Sequence, residues 1–411
     1  MHLTDIISDK TNYYLALEEK YGAHNYHPLP VVLQKGKGVY VWDINEKKYY
    51  DFLSGYSAVN QGHCHPRIID ALVNQSQKLT LTSRAFYNNL LGEYEAYITA
   101  YFGYNKVLPM NTGVEAVETA LKLCRRWGYA VKGIQENKAK IIVCAGNFHG
   151  RTTSVISFST DPSSTKQFGP FTPGFSVIPY NDIAALEEAL SDKNIAGFLV
   201  EPIQGEAGVE VPQEGYLAKA KALCKKNDVL FIADEIQTGL CRTGKILCCD
   251  HENVRPDILI LGKALSGGTL PVSAVLADDE IMLTIKPGEH GSTYGGNPLA
   301  CAVAIESLKV LKDEGMAENA ERMGALLRKE LQKIDSPYIS IIRGKGLLNA
   351  IVIKHNDENA AWKLCLELMK NGLLAKPTHG DKIRFAPPLI ITEEQVLECA
   401  GIIEKSLRVL D

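Results

Sequence analysis

Between residues 111 and 268, short apolar runs alternate with stretches of helical periodicity. The runs are Lys140–Cys144, Thr153–Phe158, Gly197–Val200, Val229–Ala233 and Ile258–Leu261. Thr112–Gly128, Asp182–Leu190 and Tyr216–Asn227 carry the helical spacing. Apolar runs without a polar residue at every second place mark strands buried on both faces. The pattern predicts an α/β fold: a large, mostly parallel sheet covered by helices.

The flanks read differently. A helix is expected over Ser8–Tyr21, and Gly36–Asp51 alternates like a hairpin with its turn near Asp43–Lys48. Pro66–Lys78 has one apolar face. Asp161–Gly174 and Lys286–Pro298 are long loops of the kind that carry function. Asn297-Pro298 opens a helix towards Glu314, and Ala317–Ile334 is a second one with charged outer positions. Ile339–Ile353 alternates enough for a strand pair, and Thr392-x-x-Gln395 is a capping box for a last helix ending near Leu410. Three units are expected: residues 1–57, contributing to a small domain; 58–300, the large α/β domain; and 301–411, a small α+β domain.

Composition narrows the functional class. The 411 residues are 45% hydrophobic and 22% charged, with a net charge of −4, so no bulk field draws in nucleic acid or an anionic membrane. No apolar run nears the roughly 18 residues a membrane helix needs. No arginine precedes Arg67, which argues against a mitochondrial presequence and sets the expectation of a cytoplasmic protein. The ten cysteines lack C-x-x-C spacing and read as reduced thiols. The vicinal Cys248–Cys249 is compatible with packing or with a redox role. His63-Cys64-His65 has no second cluster to complete a metal site, so no metal is expected.

Candidate chemistry sits at strand ends, where open α/β sheets bind ligands. Gly262 ends the run Ile258–Leu261 and Lys263 follows at once, with Ala264, Ser266, Gly267 and Gly268 leaving room beside its amine. A lysine there loses its charge, finds a partner or reaches out to solvent; imine formation with a carbonyl is one way to lose the charge. Asp234 closes Val229–Ala233, 29 residues earlier, and such a carboxylate needs a cation or donors. Asn111–Glu115 opens a helix whose free N–H groups suit a phosphate, or is an ordinary cap. Phe148 and Arg151 follow Lys140–Cys144; they are either a stacking ring and a carboxylate clamp, or a core Phe and a surface Arg. Arg384 lies between apolar neighbours and calls for a counter-ion. No G-x-G-x-x-G opens a helix after a strand, which argues against a nicotinamide dehydrogenase.

Eight motifs in one order carry a family resemblance: GAHNYHPLPV, MNTGVEAVETALKL, NFHGRT, VEPIQGEAGV, ADEIQTGLCRTGK, LGKALSGG, HGSTYGGNP and KIRFAPPL. The chain resembles the class III aminotransferases of fold type I, which depend on pyridoxal 5'-phosphate. The resemblance implies that Lys263 holds the cofactor as an imine and moves the substrate proton. It implies that Asp234 pairs with the ring nitrogen, Gln237 with the phenolic oxygen, and Phe148 with the ring face. Thr112, Gly113 and Val114 would line the phosphate site. Ser292 and Thr293 would reach it from the other subunit of a homodimer.

Among family members the match is to those whose donor is L-ornithine and whose acceptor is 2-oxoglutarate. Tyr26 and Arg151 would then hold the α-amino and α-carboxylate ends of ornithine, and Tyr56 would shape the pocket. Arg384 would bind the far carboxylate of the oxoacid, with Glu206 masking it while ornithine is bound. Acetylornithine or 4-aminobutyrate as donor stay open, as does a decarboxylase, racemase or aminomutase on the same fold. His149 stands where the family carries Trp or His.

Overall fold

The computed structural model describes residues 9–411. Its centre is a seven-stranded sheet in the order Lys106–Met110, Ser273–Ala277, Ile258–Leu261, Leu230–Asp234, Ile195–Val200, Lys140–Cys144, Phe175–Ile178. The last five are mutually parallel, and only Ser273–Ala277 runs against its neighbours.

The apolar runs sort their side chains by the two-residue period of a strand. Leu199, Ile232, Ile258 and Ile260 join the core under the helix Gly113–Ala130. Phe198, Val200, Phe231 and Ala233 join the opposite core, under the helices Ile183–Ala189 and Tyr216–Lys226. Burying each such side chain is worth about 1.5–3 kcal/mol, so a one-residue slip would misplace both layers. The long helix lies close: a Cβ on Gly197 would sit 2.5 Å from Cys124 Sγ.

Two smaller sheets flank this one. Leu33–Lys37, Tyr40–Asp43 and Lys48–Asp51 form an antiparallel ribbon, closed by Leu373–Leu374 running parallel to Lys48–Asp51. Ile339–Lys345, Leu348–Ile353, Lys382–Phe385 and Lys376–Thr378 make the other, all antiparallel.

Most elements fall where the pattern placed them. The first described helix is Asp9–Tyr21, with Ser8 outside the described residues. Pro298–Asp313 is capped by Asn297, and Glu393–Leu407 by the Thr392–Gln395 box. One expected strand is wrong. Thr153–Phe158 contains a helical turn, Thr153–Ile156, started by Thr152 in extended conformation. The edge position is taken instead by Phe175–Ile178. Among the described residues no helix is long and apolar enough to cross a membrane, and no group of His, Cys, Asp and Glu is arranged for a metal.

Candidate active site

The carboxyl ends of the central strands open onto a cavity of about 210 Å³. Its lining includes Gly113, Val114, Phe148, His149, Glu201, Glu206, Asp234, Ile236, Gln237 and Lys263. A second cavity of about 280 Å³ shares Phe148 and Glu206 with it and continues to Asp161, His379 and Lys382.

Lys263 begins the turn Lys263–Ser266 directly after its strand, at φ +44°. A positive φ costs a residue with a side chain more than it costs Gly, so the surrounding structure holds this turn in place. Burial lowers the Lys263 pKa, and the charge of Arg384 lowers it further. The carboxylates Glu206 and Asp234 oppose this without reversing it. The amine is thus biased towards its neutral, nucleophilic form.

Asp234 ends its strand facing the cavity. Its Oδ2 lies 2.7 Å from His149 Nδ1, and its Oδ1 accepts the Ile236 N–H at 3.1 Å. Burial disfavours a charge on His149, but the bond to Asp234 and the charge of that carboxylate raise the pKa. His149 Nε2 is buried without a partner.

The helix Gly113–Ala130 starts with a full capping box. Thr112 Oγ1 accepts the Glu115 N–H, and Glu115 accepts the Thr112 N–H at 3.2 Å. The box leaves the N–H groups of Gly113 and Val114 unused. Asn111 Nδ2 donates to Ser292 Oγ of the same chain at 2.8 Å, while Thr293 is exposed.

Arg384, 2% exposed, reaches in from the neighbouring sheet. Its Nη1 lies 2.8 Å from Glu206 Oε1, 3.2 Å from the Gly205 carbonyl and 3.3 Å from Gln237 Oε1. Gln237 Nε2 donates to Glu206 at 3.1 Å. Burial opposes the Glu206 charge, but Arg384, Lys263 and these bonds hold its pKa down at about 2. A Cβ on Gly205 would fall 1.5 Å from Gln237 Oε1, so only glycine lets this knot form.

The Arg384 guanidinium lies 5.0 Å from the ring centre of Tyr56. Tyr56 belongs to Ser54–Ser57, a turn whose four residues all have positive φ, from +50° to +70°. Such a left-handed turn is rare for L-residues and costs roughly 1–2 kcal/mol per residue. Burial, then Glu206, raise the Tyr56 pKa, and Tyr26 and Arg151 also act on it. Arg151 is exposed, 5.6 Å from the Phe148 ring centre, and touches Ser164 Oγ at 3.5 Å. Tyr26 is mostly exposed, with Lys376 Nζ 5.9 Å from its ring.

The structure therefore gathers Lys263, Asp234, Phe148, Gly113, Val114, Gln237 and Glu206 around one cavity, with Arg384 and Tyr56 against it. Tyr26, Arg151, Ser292 and Thr293 sit further out. Sequence reasoning missed Glu201 and Ile236, and did not foresee the bond between His149 and Asp234. Glu201 had a signal: like Asp234, it is an acid that directly ends an apolar run.

The class III aminotransferase family model matches residues 21–407. The chain belongs to that family. As a class III aminotransferase it has fold type I architecture and uses pyridoxal phosphate. It is 66% identical to rat mitochondrial ornithine aminotransferase over 397 residues, covering 97% of this chain and 90% of the rat protein. A solved ornithine aminotransferase from Toxoplasma gondii superposes with a TM-score of 0.95 at 52% identity, covering 97% and 94% of the two chains. A solved acetylornithine aminotransferase from Elizabethkingia anophelis gives a TM-score of 0.89 at 62% identity, covering 97% and 99%.

The donor set fits this aminotransferase cofactor: a buried amine biased towards its neutral form for the aldehyde, a carboxylate for the ring nitrogen, an aromatic wall, and unused N–H groups at a helix start for the phosphate.

Proposed function

We propose that the protein is an ornithine δ-aminotransferase. It passes the δ-amino group of L-ornithine to 2-oxoglutarate in two alternating half-reactions. The products are glutamate 5-semialdehyde, which cyclises to pyrroline-5-carboxylate, and glutamate. The observation that carries this reading is the pair of half-buried Glu206 with buried Arg384 at 2.8 Å. An unmasked Arg384 repels a cationic donor and suits a dicarboxylate; a masked one does the reverse. One pocket can serve both substrates only if the mask moves.

Bound pyridoxal phosphate supplies an aldehyde for the amino group and a ring that accepts electrons from the substrate carbon. Lys263 holds the cofactor and, as a free amine, takes the proton from the reacting carbon and returns it. Asp234, oriented by His149, keeps the ring nitrogen protonated. Phe148 packs on the ring, and Thr112, Gly113 and Val114 hold the phosphate. Gln237 serves the phenolic oxygen and, through Glu206, senses the mask. Arg151 and Tyr26 hold the α-carboxylate and α-amino ends of ornithine, and Tyr56 shapes the pocket.

A homodimer is proposed, with Ser292 and Thr293 reaching the phosphate across its interface. The exposed Phe86, Tyr87 and Tyr294 support a covering partner. The hydrogen bond of Ser292 to its own Asn111 competes with that placement, so sedimentation and mixed-dimer complementation of Thr293→Ala are the tests. The free cysteines support a reducing compartment, for which we propose the cytoplasm. The rat relative is named mitochondrial, and cell fractionation decides between the two. The division at residues 57 and 300 is likewise proposed, supported by the three separate sheets.

The decisive assay compares turnover of L-ornithine, N-acetylornithine and 4-aminobutyrate with 2-oxoglutarate. Ornithine should be the best donor. N-acetylornithine as the best donor would overturn the roles of Tyr26 and Tyr56. Product formed without any oxoacid would point to a decarboxylase, racemase or aminomutase.

A further inference from the structure

We propose that Glu201 is a positioning residue that carries the proton of a two-carboxyl site, fixing the Phe148 backbone as a neutral acid and leaving the negative charge to Asp234. This rests on the reading that the cavity takes the pyridoxal phosphate ring, with Phe148 against its face and Asp234 at its nitrogen.

Glu201 ends the strand Ile195–Val200 and lines the same cavity as Asp234, yet the two are treated differently. Asp234 has His149 at 2.7 Å and the Ile236 N–H at 3.1 Å. Glu201 is 7% exposed, and among the described residues its carboxyl accepts one hydrogen bond, from the Phe148 N–H at 2.9 Å, and makes no ion pair. A buried acid whose one direct partner is a backbone N–H is driven to keep its proton.

The groups acting on Glu201 come from every wall. His149 favours its charge, while Asp234 and Glu206 disfavour it. Lys263 and the Cys144 thiol also feel it, and the Tyr180 hydroxyl donates to its backbone carbonyl at 3.2 Å. Burial dominates, followed among the raising effects by Asp234, and lifts its pKa to about 8. Of two acids lining one cavity, the one bonded to His149 and to a backbone N–H keeps the charge, and the one with a single N–H donor takes the proton. Were the proton on Asp234 instead, the ring nitrogen would lose its counter-charge.

The test uses the holoenzyme and its Glu201→Gln variant. Infrared difference spectra, wild type minus variant, should show the carbonyl stretch of a protonated carboxyl at pH 6, fading as pH rises through about 8. The buried Glu235 gives its own band, which this difference cancels. In equilibrium dialysis, cofactor affinity of the wild type should fall about tenfold more than that of the variant between pH 7 and pH 9.5. The reason is that ionised Glu201 adds a second negative charge near an anionic cofactor. Should the Gln variant not fold, Glu201→Asp, which withdraws the acid by one methylene, must shift the wild-type band. A difference spectrum without that band at pH 6, or equal alkaline loss of cofactor in both proteins, overturns the proposal. Visible absorbance of the bound cofactor and ornithine turnover are read separately, so failure of the functional assignment would be distinct.

Discussion

Glu206 Oε1 accepts hydrogen bonds from both Arg384, at 2.8 Å, and Gln237, at 3.1 Å. The mask on the arginine is therefore tied to a residue that lines the cavity beside Lys263 and Asp234. Replacing Glu206 with Gln keeps the shape and removes the charge. Ornithine half-reaction efficiency should fall about a hundredfold, the scale of leaving one partner of a buried charge pair alone. The 2-oxoglutarate half-reaction should change less than about fivefold by the same argument. Single-turnover kinetics of each half-reaction is the measurement.

The pH behaviour of this pair follows from its direction of shift. The Glu206 pKa is lowered to about 2 from 4.5, so its stabilising contribution is complete above pH 4.5 and is lost as pH falls towards 2. The ornithine half-reaction should show no acidic limb belonging to Glu206 at pH 5 and above. A limb near pH 6 that disappears in Glu206→Gln would contradict this.

Lys263→Arg should abolish turnover by about 10⁴-fold or more, since a guanidinium neither forms the imine nor gives up its proton. After borohydride reduction, peptide mapping should find the cofactor on Lys263 in the wild type and nowhere in the variant. A variant that keeps ornithine turnover near the wild-type rate would remove the basis of the assignment.

His149→Phe keeps a ring in place but takes the N–H from Asp234. Hydrogen bonds to charged groups contribute about 1.5–3 kcal/mol. Cofactor affinity should drop by roughly ten- to a hundredfold, measured by dialysis and visible absorbance. Unchanged affinity would mean that Ile236 and the ring nitrogen alone suffice to hold Asp234.

Arg242 is fully buried and binds Asn60 Oδ1, the Leu347 carbonyl and the Pro387 carbonyl at 2.6, 3.0 and 2.6 Å. Burial pushes its pKa down to about 9. Arg242→Met strands three buried acceptors and should cost about 3 kcal/mol or more in denaturant unfolding. Arg126→Met, which breaks the exposed pair with Glu289 at 3.2 Å, should cost under about 1 kcal/mol. Equal losses would show that the buried acceptors find other donors.

The reach of the sequence reading has physical limits visible in single residues. Ile258–Leu261 was legible because four apolar residues in a row have no other comfortable place. Lys106–Met110 was not, since Pro109 breaks the pattern at a position where an outer strand tolerates it. Phe175–Ile178 also lies at an edge, and its exposed Val177 and half-buried Ser176 blur the run. Thr153–Phe158 had strand-like composition, but a local helix start at Thr152 prevailed. Lys263 and Asp234 were readable as polar residues ending apolar runs. The His149–Asp234 bond, 85 residues apart, and the one-sided environment of Glu201 exist only once the strands lie side by side.

The first ribbon of the chain is completed by its last third. Lys48–Asp51 finds its parallel partner only in Leu373–Leu374, and Arg242 waits for the carbonyl of Pro387. On a ribosome, therefore, most of this polypeptide emerges before either demand can be met. The nascent protein must hold an open sheet edge and a buried-to-be cation in suspense until nearly the final turn of synthesis, a stage at which chaperones have the most to protect.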